Sequence, residues 1–160
     1  MPDSVPKQDL NEVALDGSLY ESKASPELIA EFEMKAIKVV CSDHEILFRR
    51  DEAGESVYLV LTGQVRLLLA LSTTDGMEFL ARPGSFVGLP AAFSNEPYSM
   101  TAIACKEAEL AVMSRDRFCD MIASNPNLAL DVLRILAAET RTARMAIVDA
   151  GMSHRGGQRI

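Results

Sequence analysis

The stretch Val57-Tyr58-Leu59-Val60-Leu61-Thr62-Gly63-Gln64-Val65-Arg66 decides the fold. Five apolar residues, a Thr-Gly turn signal and a second apolar run over 65–71 read as two short strands joined by a tight hairpin. The same texture continues on both sides. Residues 37–40 and 46–48 precede the hairpin, and 77–80, 85–87, 99–104 and 109–113 follow it, punctuated by Gly54, Asp75-Gly76 and Arg82-Pro83-Gly84. Eight short strands between about 36 and 113, with no alternation of strand and helix, predict an antiparallel β jelly roll and disfavour a parallel nucleotide-binding sheet.

Helix signals bracket this roll. Ser25-Pro26-Glu27 supplies a serine N-cap, a proline at the first helical position and an acid in the first turn ahead of Leu28, Ile29 and Phe32, predicting a helix over 26–33. After the roll, Ser114 can cap a short helix through Phe118 and Ile122, and Asn125-Pro126 opens a longer one to about 149. Along the long helix Leu133, Leu136, Thr140, Ala143, Ile147 and Ala150 recur at intervals of three, four, three, four and three. That is the spacing of a dimer seam, with Ala143 and Ala150 letting two backbones approach; the alternative is that this face packs only on its own roll. The chain divides into a flexible polar arm over 1–24, the roll with its short helices over 25–124, the long dimerisation helix over 125–150 and a flexible tail over 151–160.

Composition bounds the function. The 160 residues, 48% hydrophobic, suit one domain with a real core. Sixteen basic against 23 acidic residues give a net charge of −7, which repels a phosphate backbone. The longest apolar runs are five residues, far short of the roughly 20 that cross a bilayer, so no membrane partner is expected. The N-terminal MPDSVPKQDLNEV lacks the apolar stretch of a secretory signal, so the expected location is cytoplasmic. Cys41, Cys105 and Cys119 are odd in number and widely spaced, and read as reduced thiols, not as metal ligands.

A roll with one helix before it and two after, the last long, resembles the cyclic-nucleotide-binding domain of the Crp/Fnr (catabolite activator) regulator superfamily. Ile46-Leu47-Phe48, Gly54-Glu55 and the run from Val57 to Arg66 look like the family's opening strands. Gly84-Ser85-Phe86-Val87-Gly88 looks like the approach to its phosphate-binding cassette, and Asn125-Pro126 like the start of its dimerisation helix. The resemblance covers about residues 26–150. It implies a mainly β fold with flanking helices, a double-stranded β-helix of the cyclic-nucleotide-binding type followed by a long C-terminal dimerisation helix. It also implies a homodimer and a ligand between roll and helix whose differential affinity shifts the helix. Fold is implied strongly, ligand only weakly. Such regulators usually carry a helix-turn-helix domain after the long helix; the residues after 150, with Arg155 and Arg159 as a small basic spot, read as no DNA-binding domain.

The cassette bears on the ligand. The family's nucleotide binders use a glutamate directly after the second cassette glycine, for the ribose hydroxyl, and an arginine about ten residues later that forks onto the cyclic phosphate. Here Leu89 follows Gly88 and Tyr98 precedes the retained Ser99. Pro90 removes one amide from the phosphate cradle. Two lost charge-assisted hydrogen bonds at about 1.5–3 kcal/mol each weaken cyclic AMP by roughly 100- to 10,000-fold. The degenerate pocket is therefore assigned to Gly88, Leu89, Pro90, Ala91, Tyr98 and Ser99, with Ala92 and Phe93 adding apolar wall and Thr140 and Arg144 as candidates from the helix face. Such a wall suits a more apolar small molecule, or the residues simply pack and the pocket is closed.

Other chemistries find little support. Iron–sulfur ligation needs cysteines grouped near the N-terminus, haem needs an axial ligand in a diagnostic context that neither His44 nor His154 provides, and a roll-fold metal enzyme needs more than two histidines. Cys119 has no histidine near it in sequence. The expectation is a non-enzymatic, cofactor-free sensor or regulatory module signalling through a dimer. Alternatives are a true cyclic-nucleotide receptor using Ser99, backbone amides and Arg144 on the phosphate, and a ligand-free dimerisation scaffold.

Overall fold

The computed structural model describes residues 24–70, 73–74 and 76–156; all but Ala24 of the expected N-terminal arm, Asp75 of the expected Asp-Gly turn, and 157–160 of the expected tail lie outside the described residues. Helix α1 (Pro26–Lys35) starts as its sequence dictates: the Ser25 hydroxyl accepts from the Leu28 amide at 3.1 Å, Pro26 sits in the first turn, and Leu28 and Phe32 are fully buried. The same hydroxyl donates to the Asp131 carboxylate, so one side chain caps α1 and ties it to the long C-terminal helix.

Six strands follow: β1 (Ile37–Cys41), β2 (Ile46–Phe48), β3 (Ser56–Ala70), β4 (Gly76–Ala81), β5 (Phe86–Val87) and β6 (Thr101–Ser114). All pairing is antiparallel, in the order β1-β6-β3-β4, with β2 joined to β6 and β5 to β3. The mainly β roll is as expected, but two pairs of predicted strands are single long ones. Thr62-Gly63 is no hairpin turn: β3 runs through it for 15 residues, with register shifts against β6 between Val60 and Thr62 and between Thr62 and Gln64. Gly63 has φ +77°, and a Cβ there would lie 2.6 Å from the Glu107 carbonyl oxygen. Across from it, Lys106 has φ +59° within β6. The two long strands bulge together, bending the paired ribbon without ending it.

Buried side chains form two clusters. One, holding Leu28, Phe32, Leu59, Phe86, Leu89, Phe118, Leu128 and Val132, lies between the sheet and the helices. Phe32 meets Phe86 and Phe118 edge-on at centroid distances of 5.0 and 6.0 Å. The other, with Phe48, Val60, Val65, Val87, Tyr98, Ala104 and Leu110, fills the roll. Helix α2 (Leu89–Ser94) interrupts the strands between β5 and β6. Ser114 caps α3 (Arg115–Ala123), its hydroxyl accepting from the Arg117 amide at 3.3 Å. Helix α4 (Pro126–Gly156) runs 31 residues, roughly 45 Å, and so continues past the expected end near 149 into part of the expected tail. No helix among the described residues is long and apolar enough to cross a membrane.

Candidate functional site

Between the roll and α4 lies a cavity of about 270 Å³. That is just below the roughly 300–1,000 Å³ of most small-molecule sites. Phe48, Leu67, Phe79, Phe86, Val87, Pro90, Ala91, Tyr98 and Met100 give it apolar and aromatic walls, Gly88 and Ser99 lie at its cassette side, and Glu139 and Thr140 come from α4.

Five of the six residues assigned to the pocket from sequence, Gly88, Pro90, Ala91, Tyr98 and Ser99, line this cavity. Leu89 does not. Gly88 turns the chain with φ +83°, where a Cβ would stand 3.0 Å from the Tyr98 ring and 3.1 Å from the Ser56 carbonyl oxygen. The turn delivers Leu89 into the core cluster of Phe32 and Phe118, fully buried, because an apolar side chain at the start of α2 gains most by facing the helices. Ala92 joins the same cluster, and the expected Phe93 wall is instead an edge-on contact with Phe118 at 5.8 Å.

Tyr98 lines the cavity with its ring only. Its hydroxyl donates to the Ser56 carbonyl at 2.7 Å and accepts from the Ser56 amide at 3.0 Å, and the ring stacks on Phe48 at 3.7 Å between centroids and 13° between planes. Burial pushes the phenol above its ordinary range, so it stays neutral. Thr140 reaches the cavity while donating its hydroxyl to the Leu136 carbonyl at 2.9 Å. Arg144 is exposed and does not line it.

Glu139 escaped the sequence reading. It is part-buried on the cavity wall, no Lys, Arg or His among the described residues lines that wall with it, and burial pushes its carboxyl up to about 8 from an ordinary 4.5. The signal was present: the buried residues Leu128, Val132 and Ile135 are spaced four and three apart, and the next step of four lands on Glu139. Phe48, Phe79, Phe86 and Met100 were also missed as wall residues, being ordinary core types from four separate segments.

Of the expected seam, Leu133 and Thr140 are exposed, while Leu136 packs against the core cluster beneath α4. The side chains of Ala143, Ile147 and Ala150 lie outside the described residues. Elsewhere His44 is in an exposed turn with Nε2 3.3 Å from Asp43, and burial, with a hydrogen bond to Glu45, pushes the Cys41 thiol up to about 12.

The comparisons with known proteins agree with this architecture. The family model of the cyclic nucleotide-binding domain matches residues 38–125. A CRP-like cAMP-activated global transcriptional regulator of Mycobacterium tuberculosis is 23% identical over 143 residues, 88% of this chain and 62% of that one. Lysophospholipase nte1 of Neurospora crassa is 27% identical over 131 residues, 78% of this chain but 9% of the enzyme. The chain thus spans less than two thirds of these curated relatives. Among solved structures, the Thermus thermophilus catabolite activator protein superposes with a TM-score of 0.69 at 22% identity, over 86% of this chain and 63% of that one. With the family model covering more than half of the sequence and the jelly roll in place, this chain belongs to the cyclic nucleotide-binding domain family, with Crp/Fnr regulators among its relatives.

Proposed function

We propose that this chain is a non-enzymatic cytoplasmic sensor or regulatory module that keeps the cyclic-nucleotide-binding fold, has a degenerate phosphate cassette, and reads a small, largely apolar ligand between roll and α4. One observation carries this reading: among the described residues no cation lines the cavity, and the carboxyl on its wall is that of Glu139. A cyclic phosphate would there exchange water for aromatic walls and a carboxyl, with nothing to offset the desolvation of its charge. The two positions that serve nucleotide in relatives are occupied otherwise, Leu89 by the core and the Tyr98 hydroxyl by Ser56.

The output is proposed to pass through a homodimer formed along α4. Leu130, Leu133, Met145 and Val148 are large apolar side chains left exposed on this helix, and Leu130, Leu133, Ala137 and Val148 fall on one line. At about 100° per residue this stripe lies roughly half a turn around the helix from the buried series at Leu128, Val132 and Ile135, so core and partner contacts would use opposite sides of α4. Ligand seated against Glu139 and Thr140 would then bias the helix that joins the copies.

Calorimetric titration with cyclic AMP and cyclic GMP to millimolar concentration tests the reading. Silence is expected. Micromolar affinity for either would overturn the degenerate-cassette reading and favour the second one, a cyclic-nucleotide receptor with substitute contacts, for which the exposed Ser99 on the cavity wall speaks.

A further inference from the structure

Four aromatic rings, Phe48, Phe79, Phe86 and Tyr98, share the cavity with the carboxyl of Glu139 and, among the described residues, with no cation. Resting on the reading of this cavity as a ligand site, we propose that it selects a small organic cation, an arylalkylammonium or protonated aromatic amine, whose charged nitrogen pairs with Glu139 and whose apolar body lies among the rings.

Each wall contributes to the same selection. The face of an aromatic ring carries negative potential and attracts a cation while repelling an anion. A carboxyl enclosed by apolar atoms is costly to ionise alone, and a cation brought beside it removes that cost while gaining a charge-assisted hydrogen bond. The rim adds acceptors without adding positive charge: Ser99 is exposed on the wall, and the Thr140 oxygen keeps a lone pair while its proton is held by Leu136. A neutral apolar molecule would satisfy the rings and leave the carboxyl unpaired. An anion would meet the negative faces of the rings with no cation among the described lining residues to balance its charge.

The pairing has a pH signature. Burial holds Glu139 protonated near neutrality, so uptake of a cation expels that proton. Among the lining residues the other titratable group is Tyr98, whose phenol burial keeps neutral, and the residues one turn back on α4, Ile135 and Leu136, carry no charge.

The test is calorimetric titration of the purified chain with 2-phenylethylamine and with its neutral counterpart 2-phenylethanol, repeated on Glu139→Gln, which keeps shape and removes the charge. The amine is expected to bind at least about tenfold more tightly than the alcohol, with the gap closing in Glu139→Gln. In the parent chain the amine's affinity should rise by up to about tenfold per pH unit between pH 6 and 8, and stay flat in the variant. Equal affinities, no binding of the amine, or a preference that survives Glu139→Gln overturns the cation assignment; alcohol binding in that case leaves the apolar-ligand reading standing. Micromolar binding of cyclic AMP overturns instead the cassette reading beneath it.

Discussion

The cassette wall and the helix wall face each other across the same cavity but satisfy their polar groups in opposite ways. On the cassette side, polarity is turned inward. The Tyr98 hydroxyl closes on both backbone groups of Ser56, Pro90 has no N–H, and the first side chain of α2 is buried among phenylalanines. On the helix side, Glu139 presents a carboxyl for which no cationic partner among the described residues lines the cavity. The cassette wall is thus finished without a ligand and the helix wall is not. The difference separates a segment whose motif resembles the family's from a helix position that no motif marks.

The sharpest break of that contrast is Leu89→Glu, which restores the family's acid on the cassette side. Because Leu89 is fully buried, we expect a loss of about 4 kcal/mol or more, read from denaturant unfolding. A variant as stable as the parent would mean that position 89 swings into the cavity and that the cassette wall is less fixed than its packing implies. Tyr98→Phe keeps the stacking on Phe48 and removes both bonds to Ser56, with an expected cost of about 1–3 kcal/mol in the same assay.

On the helix side the sign reverses, since Glu139→Leu should stabilise. The folded-state value of about 8 lies above the ordinary 4.5, so this carboxyl's contribution is fully present below about 4.5 and is lost as pH climbs through 8. The melting temperature of Glu139→Leu should therefore exceed the parent's by more at pH 9 than at pH 5. An equal gap at both pH values would show that Glu139 is solvated and the two walls are alike. Smallest in stability is Leu133→Glu on the exposed stripe, within about 0.5 kcal/mol for the protomer. Sedimentation should nevertheless shift from dimer to monomer, whereas Leu136→Glu, packed on the core, should cost stability as well. A dimeric Leu133→Glu would place the seam elsewhere.

Much of the fold was legible because its signals are local. Ser25, Pro26 and Ser114 mark helix starts by chemistry that acts within one turn, and the short apolar runs mark strands by alternation. The strand count was not legible. Thr62-Gly63 has the composition of a turn, and only the unbroken pairing of β3 with β6 beyond it makes it a bulge. Of the dimer seam expected from spacing, Leu136 packs on the core while Leu133 and Thr140 stay exposed, and local spacing could not separate the two faces of α4, because series beginning at Leu128 and at Leu133 both step by three and four.

By itself, then, the sequence determined the class of roll, the bracketing helices and the absence of charged residues at positions 89 and 98 of the cassette, since each of these is a property of adjacent residues. Only the tertiary structure decided which side chains meet at the cavity. Phe48, Phe79, Phe86 and Met100 arrive from four segments, and Glu139 from a fifth, so their shared chemistry exists only once the roll closes against α4. Electrostatics follows the same division. A glutamate is an ordinary surface acid until packing removes its water, and that packing is assembled from residues far apart in the chain.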